Sequence, residues 1–180
     1  VCSPPLRSED HQPELWGGLV RDELQVVATD HCPFDFHGQK ELGRDDFRKI
    51  PNGLPGVEDR IDLLHDGGVV TGKITKERWV EICSTAPARL FGMYPKKGVI
   101  AVGSDADIVM YDPATKRVIS AATHHMDVDY SCYEGRQVQG TSEIVLSRGS
   151  IIVEGGTFLG REGAGKFLRR DRAEYARREL

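Results

Sequence analysis

No stretch of this sequence approaches the ~20 consecutive apolar residues that cross a bilayer, and no secretory leader is visible at its N-terminus. C-x-x-C pairs are missing too. The four cysteines, Cys2, Cys32, Cys83 and Cys132, are widely spaced, which argues against a zinc knuckle or a disulfide framework and for free thiols in the cytoplasm. A basic excess is also lacking: 24 Lys and Arg stand against 28 Asp and Glu, a formal net charge of -4, so neither nucleic acid nor a membrane is an expected partner. GxGxxG, the Walker phosphate loop and GxSxG do not occur, which removes support for nucleotide-binding and serine-hydrolase readings.

What is present is enough for a core. A compact chain of 180 residues can bury roughly 70% of its unfolded surface. VCSPPLR, at the start, reads as the end of a strand entering a loop, because two prolines cannot continue a ladder. The chain is therefore expected to begin in the middle of a larger protein. SEDHQPELWGGLVRDEL is predicted helical, with Leu15, Trp16, Leu19 and Leu24 on one side. Ser8 is a candidate cap, although Pro13 places the true start nearer residue 13. LQVVAT, residues 24 to 29, has the apolar, β-branched character of a strand covered on both faces. Residues 32 to 56 show no period and are rich in Gly, Pro, Asp and Asn, which predicts a long functional loop.

Two further helices are predicted, in VEDRIDLLHDGGVV and in ITKERWVEICSTAPARLFG, the second capped by Thr75 and ended near Gly92. Beyond residue 95 the pattern becomes β-rich. Short strands are expected at 99–101 and 107–111, and SEIVLSRG with SIIVEGGTFL reads as a hairpin turning at Arg148-Gly149. The charged tail GKFLRRDRAEYARREL suits a solvated helix or an arm on another subunit. Three regions follow: 1–95, 96–160 and 161–180. The first alternates strand and helix, the grammar of an α/β fold with a parallel sheet or barrel. Its two strands cannot make a sheet alone, so the rest of the sheet is expected from sequence outside this chain.

VVATDHCPF, residues 26 to 34, carries the most chemistry: an apolar run stops at an acid, a histidine and a cysteine. In parallel α/β folds, functional side chains gather at the carboxyl ends of strands. Asp30 there can bind a zinc-like ion through oxygen or carry a proton to a leaving nitrogen. It can equally be an N-cap that ties down backbone N–H groups, and the pattern alone supports both. His31 and His37 read as loop histidines, Cys32 as a small buried thiol, and His124-His125 as structural. Ser3 before two prolines, and Asn52 in IPNGLPG, sit in stiffened loops whose backbone can face a ligand; each can also be only a rigid turn.

VCSPPLR, ATDHCPF, GQKELGRDDFRKIPNGLPGVEDR, STAPARLFGMYPKKGVIAVGSDADIV and THHMDVDYSCYEGR together resemble the C-terminal portion of dihydropyrimidinases and D-hydantoinases, of the amidohydrolase superfamily. The resemblance covers nearly the whole chain in order. It implies the C-terminal part of a (β/α)8 TIM-type barrel (1–95), then the C-terminal strands of a small β-sandwich domain (96–160), then the tail (161–180). It implies reversible ring opening of 5,6-dihydropyrimidines or hydantoins to N-carbamoyl amino acids. The implied cofactors are two divalent metal ions, usually Zn²⁺, bridged by a carboxylated lysine that this chain lacks.

Residue by residue, Asp30 matches the aspartate that binds one metal and shuttles the proton. Ser3 matches the serine whose backbone contacts the ring amide. Asn52 matches the asparagine whose backbone carbonyl holds the other side of that ring. The implied partners are a small cyclic amide, the remainder of the same barrel and, in a homotetramer, other copies. The isolated fragment is expected to be inactive. The alternatives are a non-catalytic scaffold of the same architecture, against which the retained Asp30 speaks, and an allantoinase-type relative, which would differ around Ser3 and Asn52.

Overall fold

A computed structural model of the chain describes residues 1–173. Among the described residues, helices lie in the first half and an antiparallel sheet in the second. A 3-10 turn, Glu9–His11, leads into helix α1, Gln12–Val20. Both start signals are used: the Ser8 side chain accepts from the Asp10 amide, and Pro13 occupies the first turn of α1, where its missing N–H costs nothing. The helix stops sooner than the apolar spacing predicts. Asp22 turns left-handed (φ 59°), and the amides of Glu23 and Leu24 both return to the Gly18 carbonyl, which removes Leu24 from the helical face.

Helix α2, Arg60–Leu64, runs on into a π-helical turn, His65–Val70. Helix α3, Lys76–Val80, continues through a π turn, Glu81–Thr85, into α4, Ala86–Leu90. Thr75 caps α3 as expected, its hydroxyl accepting from the Arg78 amide at 3.1 Å, and left-handed Gly92 (φ 66°) follows α4. Leu19, Leu64, Ile74 and Ile82 form a core with Trp16, Val27, Val69, Trp79 and Cys83 packed against it. Burial pushes the Cys83 thiol up to about 11, which leaves it an inert packing group.

The sheet has the order β1-β2-β3-β4, all antiparallel: Ile108–Val118, Gln137–Ser147, Ser150–Glu154 and Thr157–Phe158. The hairpin turns where the sequence places it. Ser147 pairs with Ser150, and Arg148 (φ 47°) and Gly149 (φ 82°) supply the two left-handed residues that a two-residue turn needs. Pro113 is tolerated because β1 lies at the sheet edge and its register breaks between Asp112 and Lys116.

Two strand expectations are corrected. No ladder forms at 24–29 or at 99–101 among the described residues. A strand is defined by its neighbours, and these segments meet none here. Ile100 and Val102 stand exposed, flanked by left-handed Gly98 and Gly103. The 107–111 strand, by contrast, extends to Val118 because β2 pairs along it. The tail differs too. Residues 166–173 form no helix; they run back to α4, where the Asp171 amide donates to the Gly92 carbonyl at 2.8 Å. Residues 174–180 of the predicted tail lie outside the described residues.

Helices and sheet are joined by a polar lock. Arg117 on β1 donates to Asp62 of α2 at 2.7 and 2.9 Å, and to Asp59 at 3.5 Å. The Gln139 amide donates to Asp66, and the His65 ring bonds the Gln139 carbonyl at 2.7 Å. Gly140 follows with φ 106°, and a Cβ there would lie 2.3 Å from the Tyr111 hydroxyl and 2.6 Å from His65 Nδ1. Only glycine lets β2 approach the cluster of His65, Trp79 and Tyr111 rings, which meet tilted and edge-on, this closely.

His125 adds a second link. Its Nδ1 meets Glu58 Oε1 at 2.8 Å and its Nε2 meets the Gly156 carbonyl at 2.9 Å. Both partners offer acceptor oxygens, so the pair of contacts favours the protonated ring, in which both nitrogens donate. The hydrogen bond to Glu58 accordingly raises its pKa above the ordinary 6.5. A raised histidine stabilises fully below 6.5 and loses that contribution as pH rises through its folded-state value. Glu58→Gln is expected to return His125 towards the ordinary range, read as the pH midpoint of its ring resonances by NMR. An unchanged midpoint would contradict the pairing.

Candidate active site

Residues 24–30 are positioned by side chains rather than by a ladder. Arg78, from α3, donates to the carbonyls of Leu19 and Leu24 at 2.7 and 2.9 Å while also pairing with Asp22 and Glu81. Arg60, from α2, donates to the Val27 carbonyl at 3.0 Å, and Val27 packs on the core. The segment therefore runs across the helices in a fixed direction and delivers Asp30 at its end. There the backbone turns left-handed, with φ 47° at Asp30. A non-glycine residue in that region carries strain, and such residues concentrate at functional sites.

Past that turn the chain docks on the Asn52 loop. His31 bridges Leu54 in parallel sense, the Cys32 amide donates to the Leu54 carbonyl at 3.3 Å, and His31 Nδ1 accepts from the amides of Gly56 and Val57 at 3.3 and 3.4 Å. The Cys32 thiol points to the Asn52 carbonyl at 3.8 Å. Cys32 is exposed, which corrects the buried-thiol expectation: it lies past the turn at Asp30, against the loop and not against the core. Gly53 makes the docking possible. At φ 139° its Cβ would sit 2.2 Å from the Cys32 carbonyl oxygen, so no other residue fits.

The Gly53 amide donates to the Val1 carbonyl at 3.0 Å, which draws the Ser3 stretch to the same loop. Ser3, Asp30 and Asn52 are all exposed, and the segments that carry them converge at one end of the helical part. Sequence reasoning passed over two residues that hold this arrangement. Lys40 Nζ donates to the carbonyls of Pro51 and Gly53 at 2.5 and 2.7 Å. Asp129, from beyond β1, accepts from the amides of Phe36 and His37 at 2.6 and 3.0 Å. Those two amides hold the Asp129 carboxyl below the usual carboxylate range. Neither signal was local: each partner is a backbone group far along the chain. His37 itself is a loop histidine, 3.5 Å from Glu41.

A carboxylate at this rim is a sound oxygen donor for a zinc-like ion. Among the described residues, however, no group of three or more His, Cys, Asp or Glu is gathered to hold a metal. The described residues therefore do not complete a metal centre around Asp30.

Residues 2–149 match the family model described as the amidohydrolase family. The chain belongs to that family. Its relatives within it are D-hydantoinases and dihydropyrimidinases. It is 59% identical over 175 residues to the D-hydantoinase of Streptomyces coelicolor, covering 97% of this chain and 37% of that protein. The D-hydantoinase of Geobacillus stearothermophilus is 53% identical over 170 residues, 94% of this chain and 36% of the relative. The solved dihydropyrimidinase of Brevibacillus agri NCHU1002 superposes with a TM-score of 0.92 at 55% identity, over 94% of this chain and 37% of that one. The chain therefore spans little more than a third of the length of the relatives it matches.

Proposed function

We propose that this chain supplies the C-terminal part of a cyclic amidohydrolase. The whole enzyme opens 5,6-dihydropyrimidines or hydantoins reversibly to N-carbamoyl amino acids. The observation that carries this reading is the convergence of three segments: strained Asp30 ends a segment docked on the Asn52 loop, and the Ser3 stretch is tied to that loop. In this role the backbones at Ser3 and Asn52 grip the two sides of the ring amide. Asp30 takes a proton from the attacking water as its oxygen bonds the ring carbonyl carbon. It returns that proton to the ring nitrogen as the C–N bond breaks.

Two divalent metal ions, Zn²⁺ on the family pattern, supply Lewis-acid polarisation and a nucleophile at neutral pH when bound; Asp30 is the one ligand that this chain offers. On the same reading, residues 1–95 are the last strands and helices of a (β/α)8 barrel. Residues 96–160 are the sandwich portion, and 161–180 an oligomer contact in a homotetramer. The exposed apolar residues Ile100, Val102 and Phe167 are surfaces for the remaining barrel or for partner copies to cover. No helix among the described residues is long and apolar enough to cross a membrane, and the four free thiols suit a reducing cytoplasm.

The intact protein, loaded with zinc, is expected to turn over dihydrouracil and 5-substituted hydantoins, followed as release of the N-carbamoyl product. Turnover of allantoin alone would favour the allantoinase-type relative. No turnover of any of the three would favour the scaffold.

A further inference from the structure

Lys40 is a charged side chain with only 8% of its surface exposed. The chemistry assigned to Ser3, Asp30 and Asn52 makes no use of it. A buried ammonium persists only where its donors are satisfied. Here they are satisfied by the main chain: Nζ donates to Pro51 O at 2.5 Å and to Gly53 O at 2.7 Å, while the ring of Phe34 lies 5.5 Å beneath it. The carbonyl between those two belongs to Asn52. It faces the Cys32 thiol instead.

That alternation has a physical cause. In extended backbone, successive carbonyls point to opposite sides. One compact cation that captures carbonyls 51 and 53 fixes the peptide planes on either side of the Asn52–Gly53 peptide, and so restricts where the Asn52 carbonyl aims. The Gly53 N–H, which shares a rigid peptide plane with the Asn52 carbonyl, donates to Val1 O, and Cys32 N donates to Leu54 O, so Lys40 and Val1 together set the aim of that acceptor. A lysine suits this better than an arginine, whose planar fork matches carboxylates and phosphates.

We propose that Lys40 is a positioning residue for substrate selection: it holds the Asn52 carbonyl as a fixed acceptor for a ring N–H. The inference rests on the reading of Asn52 as a ring-amide contact. A site built around an acceptor rejects a ring that lacks the matching donor. Loss of Lys40 therefore weakens discrimination between an N–H ring and its N-methyl derivative.

The test uses the intact zinc enzyme with dihydrouracil and its two mono-N-methyl derivatives. The wild-type enzyme is expected to prefer the unmethylated ring over one derivative by about 10²-fold or more in kcat/KM. Lys40→Met is expected to shrink that preference about tenfold, mainly through KM, whereas Lys40→Arg, which keeps two donors, retains most of it. A folded Lys40→Met enzyme with an unchanged preference overturns the proposal while leaving Asn52 in its role. A wild-type enzyme with no preference at either nitrogen overturns the Asn52 reading itself. Should Lys40→Met fail to fold, Lys40→Leu, which also removes every donor, takes its place; a preference equal to wild type in that variant likewise overturns the proposal.

Discussion

Asp30→Asn, made in the intact enzyme, is expected to lower dihydrouracil turnover by roughly 10³-fold or more, within or beyond the usual range for a lost acid–base group. Asparagine matches aspartate in shape, so the left-handed turn at residue 30 survives, since both residues tolerate that conformation. The docking of His31 and Cys32 on the Asn52 loop uses no atom of the Asp30 side chain, so the fold survives with it. On the proposed reading, what disappears is a group able to take up a proton and hand it on, together with one anionic metal ligand. Thermal unfolding close to wild type beside lost turnover is the expected pair of results. Near-normal turnover would remove Asp30 from the chemistry.

The second large effect concerns stability, and it separates two neighbouring acids. Asp62 is 6% exposed and receives both close hydrogen bonds from Arg117. Asp62→Ala leaves that guanidinium largely uncompensated, and breaking a buried pair from one side costs about 3–5 kcal/mol. Arg117 keeps some access to water and a 3.5 Å contact with Asp59, so the lower end, about 3 kcal/mol, is expected. Asp59 behaves differently. It is 1% exposed, and burial raises its carboxyl above the ordinary 3.8 despite the attraction of Arg117.

A carboxyl raised in the folded state stabilises most when protonated and loses that contribution as pH climbs through its folded-state value. Burial therefore disfavours the charged form in the folded protein. Asp59→Asn is expected to unfold at the same temperature as wild type or higher at pH 7, with the difference narrowing towards pH 4. A fall in melting temperature for Asp59→Asn comparable to that for Asp62→Ala would show that Asp59, not Asp62, carries the lock.

Much of the local structure was legible because its causes are local. Thr75, Ser8 and Pro13 mark helix starts through their own side chains, and Arg148-Gly149 makes its turn through its own φ angles. The segments at 24–29 and 99–101 form no ladder among the described residues because a ladder depends on neighbours that the pattern of one segment cannot supply. For the site, the acid at the end of VVAT and the proline-bounded Ser3 and Asn52 loops stood out by residue type. Lys40, Asp129 and Arg78 did not, because each acts on backbone carbonyls or amides brought near only by folding. Cys32 was placed in the core on the habit of thiols, and its surroundings past the Asp30 turn overrule that habit.

The whole account depends on the Asp30 carboxylate lying within a metal-dependent reaction centre completed by the rest of the protein. A crystal structure of the intact protein with zinc, read by anomalous scattering at the zinc edge, tests this most directly. The expected result is an Asp30 oxygen about 2.0–2.2 Å from a metal ion, with the Ser3 and Asn52 backbones facing the same cavity. Metal density elsewhere, with Asp30 left in bulk solvent, would contradict it.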